Sequence, residues 1–173
     1  SALFYDVRND AFELEPAKAV PVYAGKRRII HKFPLLEQFV LMHFARCLAL
    51  VLEPLFPDSL FSFRPGRGNI GAIRRVTDYM KQHEGPYFVL RRDVQNFGDS
   101  LVHELVLKDF DTFFPQAPHL RNLLHSVCSF RLESGEQNAI GLPTGTYLQL
   151  LFENLYLLAL DRALNALPES VHI

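Results

Sequence analysis

An aspartate at the end of an apolar segment is the first candidate for chemistry in this sequence. Asp93 closely follows Tyr87-Phe88-Val89-Leu90, whose aromatic and β-branched residues predict a short strand. A carboxylate at the C-terminal end of a strand is well placed to hold a metal ion, and Mg²⁺ prefers one or two carboxylates together with substrate phosphate oxygens. A lone aspartate after a strand is also typical of a turn, so Asp93 alone leaves both interpretations open.

A group of cations surrounds a predicted β-hairpin. Residues 17–23 and 27–32 have strand-like composition, and a turn containing glycine joins them. Because side chains alternate along a strand, Lys26 and Arg28 share one face and Arg27 takes the other. Two cations on one face suit a triphosphate, since arginine offers a bidentate fork and lysine a point charge. The alternative is an edge strand whose charges oppose aggregation.

Two loops that contain glycine carry further candidates. Arg64-Pro65-Gly66-Arg67 turns tightly and projects two arginines, which suits contact with a phosphate backbone. Pro143-Thr144-Gly145 leads into an apolar helix, whose free N–H groups suit an anion or a base edge. A surface turn and an ordinary loop-to-helix junction are the corresponding alternatives.

Several helices are needed to position these residues. Apolar residues recur with a period close to 3.6 from Leu36 to Leu55, which predicts a long helix that follows Pro34. The order of elements predicts an α+β fold, with helices packed on a small antiparallel sheet. The other predicted elements are a helix capped by Asn69 with Ile70, Ile73, Val76 and Met80 on one face; a helix from Asp99 or Ser100 to Phe114; a helix after Pro118 to Phe130; a hairpin turn at 134–136; and a helix from about Tyr147 to Leu167.

Composition places the chain among globular proteins. It has 173 residues, 49% of them apolar and 21% charged, which fits one domain or one large domain cut short. No run reaches the roughly 18 uncharged apolar residues of a membrane span, and the N-terminus has no signal-peptide pattern, so we expect a cytoplasmic protein without a membrane partner. Cys47 and Cys128 lie in apolar patterns without a C-x-x-C motif, which predicts two buried thiols and no structural zinc site.

The net charge of −1 conceals an asymmetry. Residues 1–92 hold 14 Lys/Arg against 9 Asp/Glu, a net of +5, and residues 93–173 hold 4 against 10, a net of −6. Such a split suggests a phosphate-bearing partner on the basic side, and a chance distribution of solvated charges is the alternative.

Four groups of segments form an ordered set. They are Gly25-Lys26-x-Arg28-x-Ile30; Leu52-Glu53-Pro54-Leu55-Phe56 with Phe61-Ser62-Phe63-Arg64-Pro65-Gly66-Arg67; Arg92-Asp93-Val94-Gln95-Asn96-Phe97 with Asp99-Ser100-Leu101-x-His103; and Gly141-Leu142-Pro143-Thr144-Gly145 with Asn154-Leu155-Tyr156-Leu157 and Leu160-Asp161. This set resembles motifs of bacterial retroelement reverse transcriptases, the family of group II introns, retrons, diversity-generating elements and defence-associated relatives. The resemblance covers about residues 20 to 161.

The resemblance implies an RNA-directed DNA polymerase, with residues 1–92 as fingers and 93–173 as a partial palm. Its implied partners are an RNA template, a DNA or RNA primer and dNTPs, and its cofactor is a pair of Mg²⁺ ions. Asp93 would be catalytic and would bind the metals together with the carbonyl of Val94. The nucleotide-binding residues would be Lys26, Arg28, Phe97, Gly98, Pro143, Thr144 and Gly145; the template-binding residues would be Arg64, Arg67, Gln149 and Asn154, with the two arginines alternatively stabilising the fingers.

The chain departs from the family pattern at several positions. Gly98 stands where the family has an aromatic residue that blocks a ribose 2′-hydroxyl, which leads to a hypothesis of relaxed sugar selectivity. Thr144 replaces the usual glutamine and Gln149 the usual serine, which marks a divergent branch. The Y-x-D-D motif is absent up to Ile173, so we expect this polypeptide to be inactive alone and to self-associate through a truncated palm. The alternative is a non-catalytic, polymerase-like scaffold that binds nucleic acid or protein.

Overall fold

The computed structural model describes residues 6–9 and 11–167, with only the backbone of Ala24 and Lys26. It confirms an α+β fold. The segment expected to lead into the Y-x-D-D strand, from Glu169 on, lies outside the described residues. The elements are β1 (Lys18–Ala24), β2 (Lys26–Lys32), α1 (Leu35–Leu52), α2 (Asn69–Gln82), α3 (His103–Phe113), α4 (Pro118–Cys128), α5 (Tyr147–Tyr156) and α6 (Leu158–Asn165), with short 3₁₀ turns at Glu53–Leu55 and Gly98–Ser100.

The predicted hairpin is confirmed. β1 and β2 pair antiparallel in a register that places Val22 opposite Arg28 and Val20 opposite Ile30. Gly25 lies between them with φ of +75°, a conformation that costs glycine nothing because it lacks a Cβ. The predicted hairpin turn at 134–136 also forms. An isolated antiparallel β-bridge joins Arg131 to Gln137 across it.

The core lies between α1 and α5 and extends over α3 and α4. Helix α1 buries one face, including Val40 and Phe44, and α5 buries Leu148 and Phe152. Phe110 of α3 contacts Phe44 edge-on, with ring centroids 6.4 Å apart. Residues from both sides of position 92 therefore share one apolar core.

Helix α1 and the turn after it are also long and apolar enough to cross a membrane. Among the described residues, Leu35–Leu55 has the length and the apolar composition of a membrane span, and about 39% of its most apolar stretch is buried within the structure. The core helix of a globular domain has the same properties, and packing within the domain accounts for the buried apolar residues of α1, such as Val40 and Phe44.

Three predicted helix boundaries were wrong. Neither Asp99 nor Ser100 caps α3, because Gly98–Ser100 form a separate 3₁₀ turn and the Asp99 carboxylate binds Thr144 instead. Gly68, not Asn69, is the N-cap of α2. The long C-terminal helix is divided at Leu157 into α5 and α6.

The strand predicted at residues 87–90 does not form within the described part of the chain. The segment has no regular secondary structure, and its side chains are open to solvent, with Phe88 99% and Val89 91% exposed. A strand needs a neighbour to accept and donate its backbone hydrogen bonds, and residues 6–9 and 11–167 supply none here. The apolar face of α2 is likewise exposed rather than buried, at Ile70, Ile73, Val76 and Met80.

The cysteine prediction was half right. Cys128 is buried, and burial raises the pKa of its thiol to about 12. Cys47 is exposed, because it lies on the face of α1 that points away from α5, with its Sγ 3.6 Å from Nε2 of His43.

Candidate functional site

Thr144 is the meeting point of three segments that are far apart in sequence. The backbone N–H of His31 on β2 donates to the Thr144 carbonyl at 2.8 Å, and the Thr144 N–H donates to Nδ1 of His31 at 3.0 Å. The Thr144 hydroxyl donates to Oδ1 of Asp99 at 2.9 Å. The hairpin, the 3₁₀ turn and the Pro143–Gly145 turn are therefore joined through one residue.

The backbone of the same two turns is packed closely. The Gly141 N–H donates to the Leu101 carbonyl at 2.8 Å, and the Leu142 N–H donates to the Gly98 carbonyl at 3.1 Å. A Cβ at Gly141 would lie 2.7 Å from the Asp99 Cα, and its φ is +80°. Glycine is therefore required at 141 on two independent grounds.

Gln149 fills the space beside Gly98. Its Oε1 accepts the Gly145 N–H at 3.1 Å, and its Nε2 donates to Oε1 of Glu153 at 2.9 Å. A Cβ at Gly98 would lie only 1.8 Å from that Nε2 and 2.5 Å from that carboxylate oxygen. Position 98 is thus closed by a neighbouring side chain, a feature that the sequence pattern did not reveal.

Two titratable groups of this junction have shifted pKa values. Burial lowers the pKa of His31, and the negative charge of Asp99 partly opposes that shift. Burial raises the pKa of Glu153; the hydrogen bond from Gln149 opposes this, and the charge of Asp99 adds to it. The neutral imidazole matches the geometry, because Nδ1 must be unprotonated to accept the Thr144 N–H.

Arg28 shares a strand face with a residue that contacts the Pro143–Gly145 turn. A Cβ at Gly145 would lie 3.3 Å from the Ile30 Cβ, and Arg28 is two residues before Ile30 on β2. Side chains alternate along a strand, so Arg28 and Ile30 lie on the same face of β2. Position 26, two residues before Arg28, belongs to that face as well, whereas Arg27 takes the opposite face. Both arginines are exposed.

Asp93 lies in an exposed segment, beside Val94, which is 52% exposed. Phe97 is half-buried and packs edge-on against Tyr156, with ring centroids 5.9 Å apart. In residues 6–9 and 11–167, no group of three or more His, Cys, Asp or Glu side chains is placed to hold a metal ion. Mg²⁺ at Asp93 would therefore need further oxygen ligands, of the kind that substrate phosphates supply.

The two arginines of the Arg64–Arg67 loop bind the protein itself. Arg64 donates from Nε and Nη2 to the Glu53 carboxylate, at 3.1 and 2.7 Å, and from Nη1 to the carbonyls of Pro57 and Leu60. Its side chain is only 4% exposed. Arg67 donates to Oδ1 of Asp58 at 2.6 Å. Of their two implied roles, these contacts favour stabilisation of the loop.

The other two residues implied in template binding are also buried. Asn154 donates from Nδ2 to the Ser62 carbonyl at 2.9 Å, which ties α5 to the loop that contains Arg64. Gln149 is 8% exposed and holds the Gly145 turn. Neither side chain offers a free surface to a nucleic acid.

Comparison with known proteins gives a similarity at the level of fold. No protein-family model and no curated protein matches the chain. A chain of a solved structure, described as a partial Cas6-RT-Cas1–Cas2 complex, matches 95% of this chain with a TM-score of 0.52 and 18% identity. The chain spans 28% of the length of that neighbour. The chain therefore has an α+β fold that is similar to the fold of a chain in that complex.

Proposed function

We propose that this chain forms the fingers and part of the palm of a reverse transcriptase. The observation that carries the proposal is the convergence at Thr144 of three of the four motif groups behind the resemblance: the basic hairpin, the turn that follows Asp93, and the Pro143–Gly145 turn. The fold shared with a chain of an RT-containing complex supports the same class.

In this proposal Arg28, which is exposed, and Lys26 bind the triphosphate of an incoming nucleotide. Arg28 provides a bidentate donor on the face that Ile30 presents to Gly145, with Lys26 on the same face of the strand. Pro143 and Gly145 lie beside the base pair that forms. One bound nucleotide would then contact the cations of β2 through its triphosphate and the Pro143–Gly145 turn through its base.

Asp93, with the carbonyl of Val94, would contribute ligands to Mg²⁺. Bound there, the metal would neutralise phosphate charge. Among the described residues Asp93 belongs to no group of three or more metal-binding side chains, and a single carboxylate should not hold two divalent cations against their mutual repulsion. We therefore expect the 173-residue polypeptide not to polymerise DNA, and measurable dNTP incorporation by the purified chain would overturn this expectation.

A nucleotide-binding experiment tests the proposal with a matched control. Arg28→Ala and Arg27→Ala remove the same charge from opposite faces of β2. We expect Arg28→Ala to weaken binding of a fluorescent dNTP about 10-fold or more, the value of one charge-assisted bidentate contact, and Arg27→Ala to change it less than about twofold, as for an exposed charge. Equal effects of the two substitutions, or no dNTP binding by the wild-type chain, would reject the assignment.

A second candidate function is a polymerase-like scaffold without catalysis. The internal hydrogen bonds of Gln149 and Asn154 favour it. The two functions differ in the role of Asp93. If Asp93→Asn abolishes a Mg²⁺-dependent gain in dNTP affinity, the polymerase is supported; RNA binding without any nucleotide binding supports the scaffold.

A further inference from the structure

The side chain of His31 supplies half of the contact between β2 and the Pro143–Gly145 turn. The His31 N–H donates to the Thr144 carbonyl at 2.8 Å, and the Thr144 N–H donates back to Nδ1 of the His31 ring at 3.0 Å. The first is a backbone hydrogen bond that any residue except proline can make at position 31. The second needs an acceptor at the position of Nδ1, so it depends on the type of side chain.

The imidazole of His31 is also packed against an aromatic ring. It meets the ring of Phe130 edge-on, with centroids 4.8 Å apart, and Phe130 itself is buried. Packing of this kind restricts the imidazole to orientations that keep the two rings in contact. The ring contact and the Thr144 N–H together hold Nδ1 towards the turn.

The position of Arg28 relative to the turn depends on this contact. A Cβ at Gly145 would lie 3.3 Å from the Ile30 Cβ, so the residue next to His31 lies against the turn. Arg28 shares the face of Ile30 and is three residues before His31, about 10 Å along the strand. A shift of β2 by one residue would move the guanidinium by about 3.3 Å relative to the turn, which exceeds the range of hydrogen-bond distances.

We infer that His31 is a positioning residue of the proposed nucleotide site. By accepting the Thr144 N–H, its Nδ1 keeps Arg28 at the distance from the turn that a single bound nucleotide needs. The inference rests on the proposed function and adds to it a residue that binds no nucleotide itself. Side chains alternate along β2, so His31 faces away from Arg28 and acts through the strand backbone and Thr144. Position 31 lies just outside the sequence motif that ends at Ile30.

Protonation of His31 would remove the contact, because a protonated Nδ1 is a donor and cannot accept the Thr144 N–H. Burial lowers the pKa of His31, which favours the neutral ring, and the charge of Asp99 opposes that shift. Lys32 and Tyr147 are the other titratable residues that line the same cavity, about 490 Å³ between β2, α1 and α5, and its described lining residues from α1 carry no charge. Nucleotide binding should therefore weaken as the pH falls below about 6.5.

Two substitutions separate the acceptor from the ring. His31→Asn places Oδ1 near the position of Nδ1 but lacks the ring, whereas His31→Phe keeps a ring against Phe130 but lacks the acceptor. We expect His31→Phe to weaken binding of a fluorescent dNTP at neutral pH about fivefold, as for the loss of one hydrogen bond. His31→Asn should stay within about twofold of the wild-type affinity, because it retains the acceptor.

The pH profile and the Thr144 amide give two further measurements. Lowering the pH from about 7.5 to about 5 should weaken dNTP binding by the wild-type chain about threefold more than binding by His31→Asn. Asp99 and the nucleotide phosphates titrate in both proteins, so the difference reports His31. Without nucleotide, the protection of the Thr144 amide from hydrogen exchange should fall in His31→Phe and persist in His31→Asn.

Three outcomes would overturn the inference. They are equal dNTP affinity of the wild-type chain and His31→Phe, an equal loss of affinity in His31→Phe and His31→Asn, and the same pH response in the wild-type chain and His31→Asn. No dNTP binding by the wild-type chain rejects the proposed function and the positioning role together. Binding that requires Arg28 but is unaffected by His31→Phe rejects only the positioning role.

Discussion

The contact between Gly98 and Gln149 predicts a strong energetic coupling between two residues 51 positions apart. In Gly98→Ala the new Cβ falls 1.8 Å from Nε2 of Gln149, so the amide must move by about 1.6–2.2 Å to reach ordinary van der Waals distance. Gln149 is 8% exposed and holds hydrogen bonds to Gly145 and Glu153, which the movement breaks.

The magnitude follows from these contacts. Two hydrogen bonds are worth about 1–3 kcal/mol together, and overpacking adds about 1 kcal/mol or more. Gly98 has no positive φ, so alanine also stabilises by about 0.4–1 kcal/mol through the unfolded chain. We expect Gly98→Ala to lower the free energy of unfolding by about 1–3 kcal/mol as the net of these terms.

A double-mutant cycle measured by urea unfolding checks this reasoning. Gln149→Ala removes the obstacle, so the double variant should be no less stable than Gln149→Ala alone, with a coupling energy of about 1–3 kcal/mol. Gly71→Ala combined with Gln149→Ala is the control and should be additive within about 0.5 kcal/mol. Additive behaviour of the Gly98 pair would refute the proposed contact. The hypothesis of relaxed sugar selectivity must accordingly be tested with Gly98→Phe in a background with a shortened residue 149.

Three further predictions concern the loop, the junction and the exposed segment. Arg64→Ala leaves Glu53 without its bidentate partner, and urea unfolding should show a loss of about 2–4 kcal/mol, below the value for a fully buried pair because Glu53 is partly exposed. Because the pKa of His31 is lowered in the folded chain, the unfolded chain binds a proton at this residue before the folded chain does, as pH falls through about 6.5. The free energy of unfolding should therefore decrease from about pH 7.5 to 5.5, and His31→Gln should make that decrease smaller. Phe88→Lys should reduce the concentration-dependent mass of the chain in analytical ultracentrifugation, because Phe88 is 99% exposed in a segment without regular secondary structure.

Each of these predictions has its own control. Arg67→Ala removes a more exposed arginine from the same loop and should have a clearly smaller effect than Arg64→Ala; an equal loss would contradict the clamp. For His31 the wild-type chain is the control, and an equal decrease in His31→Gln would contradict the prediction. Leu160→Lys, at a residue 51% exposed on α6, should leave the mass unchanged. A chain that is monomeric at every concentration would exclude self-association.

The sequence determined the elements whose stabilisation is local. The hairpin around Gly25 and the helix that begins after Pro34 formed where expected, because turn residues and apolar periodicity act over a few neighbours. The same argument failed at residues 87–90. Their composition suits a strand, but a strand exists only when another backbone completes its hydrogen bonds.

Motif order brought the candidate residues to notice, but tertiary structure decided what their side chains do. Arg64 reads as a phosphate ligand in sequence, and only the fold places Glu53 and two carbonyls around its guanidinium. The sequence predicts free space beside Gly98, but the packing of α5 places the side chain of Gln149 there. These contacts join residues that are 11 and 51 positions apart in the sequence. Charge, hydrogen bonding and excluded volume act between residues that are close in space. A sequence pattern therefore identifies candidate residues, and only the folded structure shows which residues they contact.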